Sequence, residues 1–132
     1  MTSHGWLFDT HALLWLLYDD PRLSSGAVAA FESDVPLYYS VVTYWEIALK
    51  RSSSGFDFEI EDNWDELIPS ALETLGLLKM EIDARDCRRS ENLPLHHRDP
   101  FDRLMIAQCQ VRNLGAITRD LKWRDYEISC LW

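Results

Sequence analysis

Four acids stand where a parallel sheet would present them at one edge. Asp9 follows the apolar Gly5–Phe8 directly, and Glu46 lies one helical turn past the Tyr- and Val-rich stretch 37–41. Asp102 sits in the first turn of a helix beginning at Asp99-Pro100, and Asp120 comes just after Ala116-Ile117-Thr118. Carboxylates brought this close raise one another's pKa and cannot all ionise without a counter-charge. A divalent cation supplies that charge. Carboxylate and water oxygens suit Mg²⁺ or Mn²⁺, and a hard-ion site left partly open to substrate is what phosphodiester hydrolysis uses. Each acid also has a plain structural use. Glu46 could complete a capping box begun by Thr43, Asp102 could complement a helix dipole, Asp99 reads better as a cap than as a ligand, and Asp120 could pair with Arg119. Asp9 is harder to explain away, because a carboxylate between an apolar strand and an apolar helix is costly to bury unpaired.

Competing chemistries find little support. There is no Gly-rich phosphate loop, no His-Glu-x-x-His and no Gly-x-Ser-x-Gly. A phosphatase with Asp9 as nucleophile would want a second acid two residues on, where His11 stands. His96-His97 suggests a transition metal, but adjacent side chains point different ways and only His4 and His11 remain to join them. Cys87, Cys109 and Cys130 are odd in number and widely spaced, so each reads as a small buried hydrophobe in a reducing compartment. Trp45 reads as a packing residue rather than a base-stacking platform.

The elements that must hold the acids follow from the apolar pattern. Gly5–Phe8 predicts a strand, and Ala12 to Leu17 a buried helix that stops before Asp19-Asp20-Pro21. Ser24 or Ser25 can cap a helix through about Ser33, and Leu37–Val41 is the next strand. Thr43-Tyr44-Trp45-Glu46 opens a helix ending at Lys50-Arg51, cations suited to a helix C-terminus. Residues 63–75 are helical in pattern with Pro69 dividing them, and 77–82 form a strand or extended edge. Asp83 caps a short basic helix to Glu91, Asp99-Pro100 starts a helix running to Asn113, Ala116–Thr118 is a strand, and Tyr126–Leu131 is the last one. Alternating short strands and helices predict an α/β fold, a three-layer α/β/α sandwich around a mainly parallel sheet, with ligands beyond the carboxyl ends of the strands.

At 132 residues, 47% of them hydrophobic, the chain is read as one domain spanning 1–132. No apolar run approaches the roughly 18 to 20 residues of a membrane span, so a cytoplasmic protein is expected. The net charge of −9 argues against tight nonspecific nucleic-acid binding. It is unevenly spread: residues 1–80 carry 4 bases and 13 acids, residues 85–124 carry 9 bases and 5 acids. The C-terminal half could present a basic rim or simply solvated helix faces. The base-free acidic run from Asp57 to Glu66 reads as an exposed loop leading into a helix.

Leu7-Phe8-Asp9-Thr10-His11-Ala12-Leu13-Leu14-Trp15, Trp45-Glu46-Ile47-Ala48-Leu49-Lys50, the block from Leu93 to Leu104 containing Asp99-Pro100-Phe101-Asp102-Arg103, and Thr118-Arg119-Asp120 resemble the successive motifs of PIN-domain proteins, and more narrowly those of VapC-type toxins. The resemblance covers nearly the whole chain. It implies a five-stranded parallel sheet and a Mg²⁺- or Mn²⁺-dependent endoribonuclease. It also implies a homodimer, a toxin that cuts cellular RNA, and silencing by a small antitoxin that commonly places a basic residue in the acidic site. Carried over by residue, Asp9, Glu46, Asp102 and Asp120 match the acidic quartet, with Asp9, Asp102 and Asp120 on the metal. Asp99 stands in the outer shell, and Thr118 orients Asp120. Lys122 occupies a place where relatives often have another acid, and Cys109 one where a small residue is common. A catalytically silent PIN-fold protein that docks RNA or a protein partner is the alternative.

Overall fold

The computed structural model describes residues 4–132. Five short strands, β1 (Trp6–Phe8), β2 (Leu37–Ser40), β3 (Leu78–Met80), β4 (Gly115–Ile117) and β5 (Cys130–Leu131), form one sheet. Their order is β3-β2-β1-β4-β5, and every neighbouring pair is parallel. Parallel neighbours need crossover connections, which the helices supply. These are α1 (Thr10–Leu17), α2 (Ser25–Phe31), α3 (Val42–Ser52), α4 (Trp64–Thr74), α5 (Ala84–Glu91) and α6 (Pro100–Arg112).

Successive side chains of a strand point to opposite faces, so each strand feeds two cores. Phe8 of β1 and Ile117 of β4 pack with Leu13 and Leu14 of α1, Ala27 and Ala30 of α2, and Ile68 and Leu72 of α4. Their neighbours Leu7 and Ala116 join Met105, Ile106 and Cys109 of α6 and the fully buried Trp123 on the other face. This is the expected three-layer α/β arrangement. The chain lays β1, β2 and β3 outward in one direction, then returns to place β4 on the far side of β1. The direction of winding therefore reverses between β1 and β4, where the crevice at the carboxyl ends of the strands opens.

Several local expectations are corrected. Pro69 does not divide α4, which runs unbroken from Trp64 to Thr74. The ring removes one backbone donor, and the Asp65 carbonyl it would have met belongs to an exposed residue in the first turn, which water can satisfy. The last strand is only Cys130–Leu131; Tyr126 instead ends a 3-10 helix spanning Leu121–Tyr126. Cys87 is exposed, Cys130 is half-buried, and only Cys109 is the buried hydrophobe expected of all three. Burial pushes the Cys109 thiol well above its ordinary range. The 57–66 segment is mostly exposed as expected, but three of its acids are answered: Asp57 by Arg22, Asp62 by Arg51 and Glu61 by the Tyr18 hydroxyl.

Candidate active site

Asp9 directly follows β1 and caps α1, its Oδ1 accepting from the Ala12 backbone N–H at 2.8 Å. Its other oxygen accepts from the Thr118 hydroxyl, which hangs from the end of β4. Adjacent parallel strands thus hold the two residues together. The Thr118 hydroxyl also accepts from the Asp120 backbone N–H at 3.0 Å, so one side chain ties Asp9 to the chain that carries Asp120. Asp120 caps the 3-10 helix through Oδ1 on the Lys122 N–H.

Glu46 is 2% exposed and lies on α3. α3 begins at Val42, whose N–H is met by the Ser40 hydroxyl, so the capping-box reading of Thr43 and Glu46 does not hold; the Thr43 hydroxyl bonds that of Thr10 instead. Glu46 Oε2 accepts from Lys50 Nζ, one turn along the helix, and its buried Oε1 has no partner. Lys50 is therefore more than a helix-terminal cation, since it stands in the cleft against an acid of the quartet. Asp102 enters from the first turn of α6, which Asp99 caps by accepting from the Phe101 and Asp102 N–H groups at 2.9 and 3.1 Å. Asp99 is thus the cap that its position before Pro100 suggests.

Asp9, Glu46, Asp102 and Asp120 line one open cleft with Lys50 and Arg119. Lys50 answers Glu46, but among the described residues neither Asp9 nor Asp102 has a Lys or Arg partner. Burial, reinforced by Glu46 and Asp120 and opposed by the Thr118 and Ala12 hydrogen bonds, pushes the Asp9 carboxyl up to about 6. Burial and then Asp99, Asp9, Glu46 and Asp120 push Asp102 up to about 8. Arg119 forms no ion pair with Asp120; the Asp120 carboxylate meets His97 instead, Nε2 to Oδ2 at 2.7 Å.

Sequence reasoning passed over His97 because neighbouring histidines diverge. They do diverge: the His96 ring packs on Tyr126 with centroids 5.1 Å apart, while His97 is buried between Asp120 and Asp102. The available signal was its place two residues before the Asp99 cap. Arg103 was also missed as a positioning group. Its Nη1 donates to the carbonyls of Pro94 and His97, and its Nη2 to those of Ser90 and Leu93, pinning the α5–α6 connection that carries His97. A lysine has three donors from a single point and cannot span four carbonyls. Arg103→Lys is expected to destabilise the protein by about 2–4 kcal/mol in urea titrations. It should also speed hydrogen exchange most in residues 93–98. Uniform exchange changes would show that the connection is not held this way.

The family model for the PIN domain matches residues 6–128. The chain belongs to the PIN domain family. PIN domains are generally nucleases and generally use divalent metals. Solved structures similar to this PIN domain include a toxin–antitoxin complex from Klebsiella pneumoniae, at 24% identity over 88% of this chain and 87% of that one with a TM-score of 0.61. VapBC2 from Rickettsia felis bound to a promoter DNA fragment is similar at 13% identity over 95% and 96% with a TM-score of 0.67. FitAcB from Neisseria gonorrhoeae is similar at 17% identity over 94% of each chain with a TM-score of 0.64. At these identities the likeness establishes the fold. Comparison with curated proteins gave no match. Among the described residues, no helix is long and apolar enough to cross a membrane.

The site suits a hard cation. Its donors are carboxylate oxygens, one of them the buried, unpartnered Glu46 Oε1, and two of its carboxyls are held above their ordinary range by burial first and by the neighbouring acids second.

Proposed function

We propose that this PIN domain is a Mg²⁺- or Mn²⁺-dependent endoribonuclease and the toxin of a toxin–antitoxin pair, acting in the cytoplasm as a homodimer. The convergence of Asp9, Glu46, Asp102 and Asp120 on one cleft carries the reading. Asp9, Asp102 and Asp120 would hold the ion, with Glu46 completing the catalytic set. Bound there, it supplies water activation and charge stabilisation at a phosphodiester. The chain's own groups prepare the cleft: Thr118 fixes Asp9, Asp99 fixes the first turn of α6, and Lys50 and Arg119 set positive charge on the walls where a phosphate enters.

The basic C-terminal half is only partly a rim. Arg103 and Arg112 turn inward, the latter onto the buried Asp86 at 2.6 Å. Arg98, Arg119, Lys122 and Arg124 are exposed and have no acid partner among the described residues, and they are the groups RNA would approach. The similar chains come from toxin–antitoxin complexes, and the acidic cleft suits a basic inhibitory side chain from an antitoxin. The intact quartet favours catalysis over silent docking.

The test is incubation of the folded, partner-free protein with total RNA and with single-stranded DNA, in Mg²⁺, Mn²⁺ or EDTA. Discrete RNA fragments that vanish with EDTA are expected, with DNA left intact. No cleavage with either metal would refute the nuclease reading and turn attention to the docking alternative.

A further inference from the structure

His97 is 7% exposed, and its two ring nitrogens keep different company. Nδ1 lies 3.1 Å from the backbone nitrogen of Asp99. A backbone N–H only donates, so Nδ1 accepts, and the proton of the neutral ring resides on Nε2. Nε2 in turn lies 2.7 Å from Asp120 Oδ2 and 3.3 Å from Asp102 Oδ2.

A histidine and two carboxylates with ligand atoms within 4.8 Å of one another suggest three ligands around a metal. The tautomer points the other way. A ligating histidine presents a lone pair to the metal and donates its other N–H outward. Here the lone pair faces the Asp99 amide, and the N–H faces the carboxylates. The ring is also held from behind. The His97 backbone N–H donates to the Tyr126 hydroxyl at 2.6 Å, which donates to the Pro94 carbonyl at 2.8 Å, and Arg103 Nη1 donates to the His97 carbonyl at 3.2 Å.

We infer that His97 is a positioning residue of the acidic cleft, a fixed Nε2–H donor that holds the Asp120 carboxylate in place for the cation and is not itself a ligand. This rests on the metal-dependent reading above. Asp120 needs such a partner because its side chain is 38% exposed and its other oxygen is tied only to the Lys122 N–H. Without the donor, the carboxylate is free to turn toward water.

Two substitutions separate the two ring nitrogens. His97→Gln places an amide N–H near the position of Nε2, whereas His97→Asn reaches only to the position of Nδ1 and leaves Asp120 without its donor. In calorimetric titration with Mn²⁺, His97→Asn is expected to bind about 10–100-fold more weakly than the wild type, and His97→Gln to recover most of the loss. Wild-type protein loaded with Mn²⁺ should show no directly bound nitrogen in pulsed EPR. Long-range proton–nitrogen NMR of the metal-free protein at pH 8 should show the Nε2–H tautomer. A directly bound imidazole nitrogen, an Nδ1–H tautomer, or wild-type Mn²⁺ affinity in His97→Asn beside a loss in Asp102→Asn would each overturn the inference. Should Asp102→Asn itself bind Mn²⁺ like the wild type, the metal-dependent reading fails instead. The tautomer then still decides whether His97 donates to Asp120, and the spectroscopy on wild-type protein stands even if a variant does not fold.

Discussion

Asp102→Asn is expected to lower RNA cleavage by about a thousandfold or more and, in the same protein, to raise metal-free stability. The two effects share one cause. Asp102 is pushed up to about 8 by burial and by the acids around it, so its ionised form is disfavoured until a cation arrives. Asparagine keeps the size and loses the charge. Removing one anionic ligand forfeits several kcal/mol of charge stabilisation in the reaction, at roughly tenfold in rate per 1.4 kcal/mol. In the metal-free protein at pH 8, the same change removes a carboxyl that the unfolded chain ionises freely and the folded chain does not, a gain on the order of 2–5 kcal/mol. Single-turnover cleavage of an RNA substrate and thermal unfolding in EDTA measure the two. Lost activity with lowered stability would mean that Asp102 supports the fold rather than a cation.

Metal-free stability is expected to fall as pH rises from about 6.5 to 8, and saturating Mg²⁺ or Mn²⁺ should flatten the fall. A carboxyl whose folded pKa lies above its ordinary value of 3.8 keeps its proton in the folded state after the unfolded chain has lost it. Its contribution is therefore complete below about pH 4 and is lost as pH climbs toward the folded pKa. For Asp9 that window closes near 6, and for Asp102 near 8. His11, lowered first by burial and then by Lys50, works in the opposite sense, but only below its ordinary value of 6.5. Above 6.5, Asp102 dominates these three. The expected loss is about 1–2 kcal/mol, or roughly 4–8 °C in Tm, measured by thermal scans in EDTA. Asp102→Asn should abolish it. A flat profile in the wild type would show that burial and the neighbouring acids do not hold the proton on Asp102 in the folded state.

The strand ends and helix starts were legible because their signals are local. Ser24, Asp83 and Asp99 each cap the helix that follows in sequence, and each cap bond spans two or three residues; Asp9 caps α1 in the same way, a use its sequence setting did not suggest. The quartet was readable for the same reason: a parallel α/β sheet delivers its strand ends to one side, so tip residues converge without any contact being known. Glu46 shows the limit. Thr43-x-x-Glu46 has the spacing of a capping box, yet α3 begins earlier and Thr43 bonds across to Thr10, a partner 33 residues away. His97 and Arg103 were hidden more deeply. The His97 role depends on Asp120, 23 residues on, and the Arg103 role on carbonyls of a connection whose path no periodicity reveals. The 3-10 helix at 121–126 was missed because its hydrophobic anchors, Trp123 and Tyr126, fill gaps in a core set by other elements.

The most direct test of the central claim, that these acids form a divalent-cation site, is calorimetric titration of Mn²⁺ into metal-free protein at pH 7 in buffers of different ionisation enthalpy. Saturable binding with release of about one proton is expected, because the cation must displace the proton that Asp102 still carries at that pH. Asp102→Asn should lose most of both. Saturable binding with no proton released, or the same binding in Asp102→Asn, would place the cation elsewhere; no binding at all would contradict the account outright.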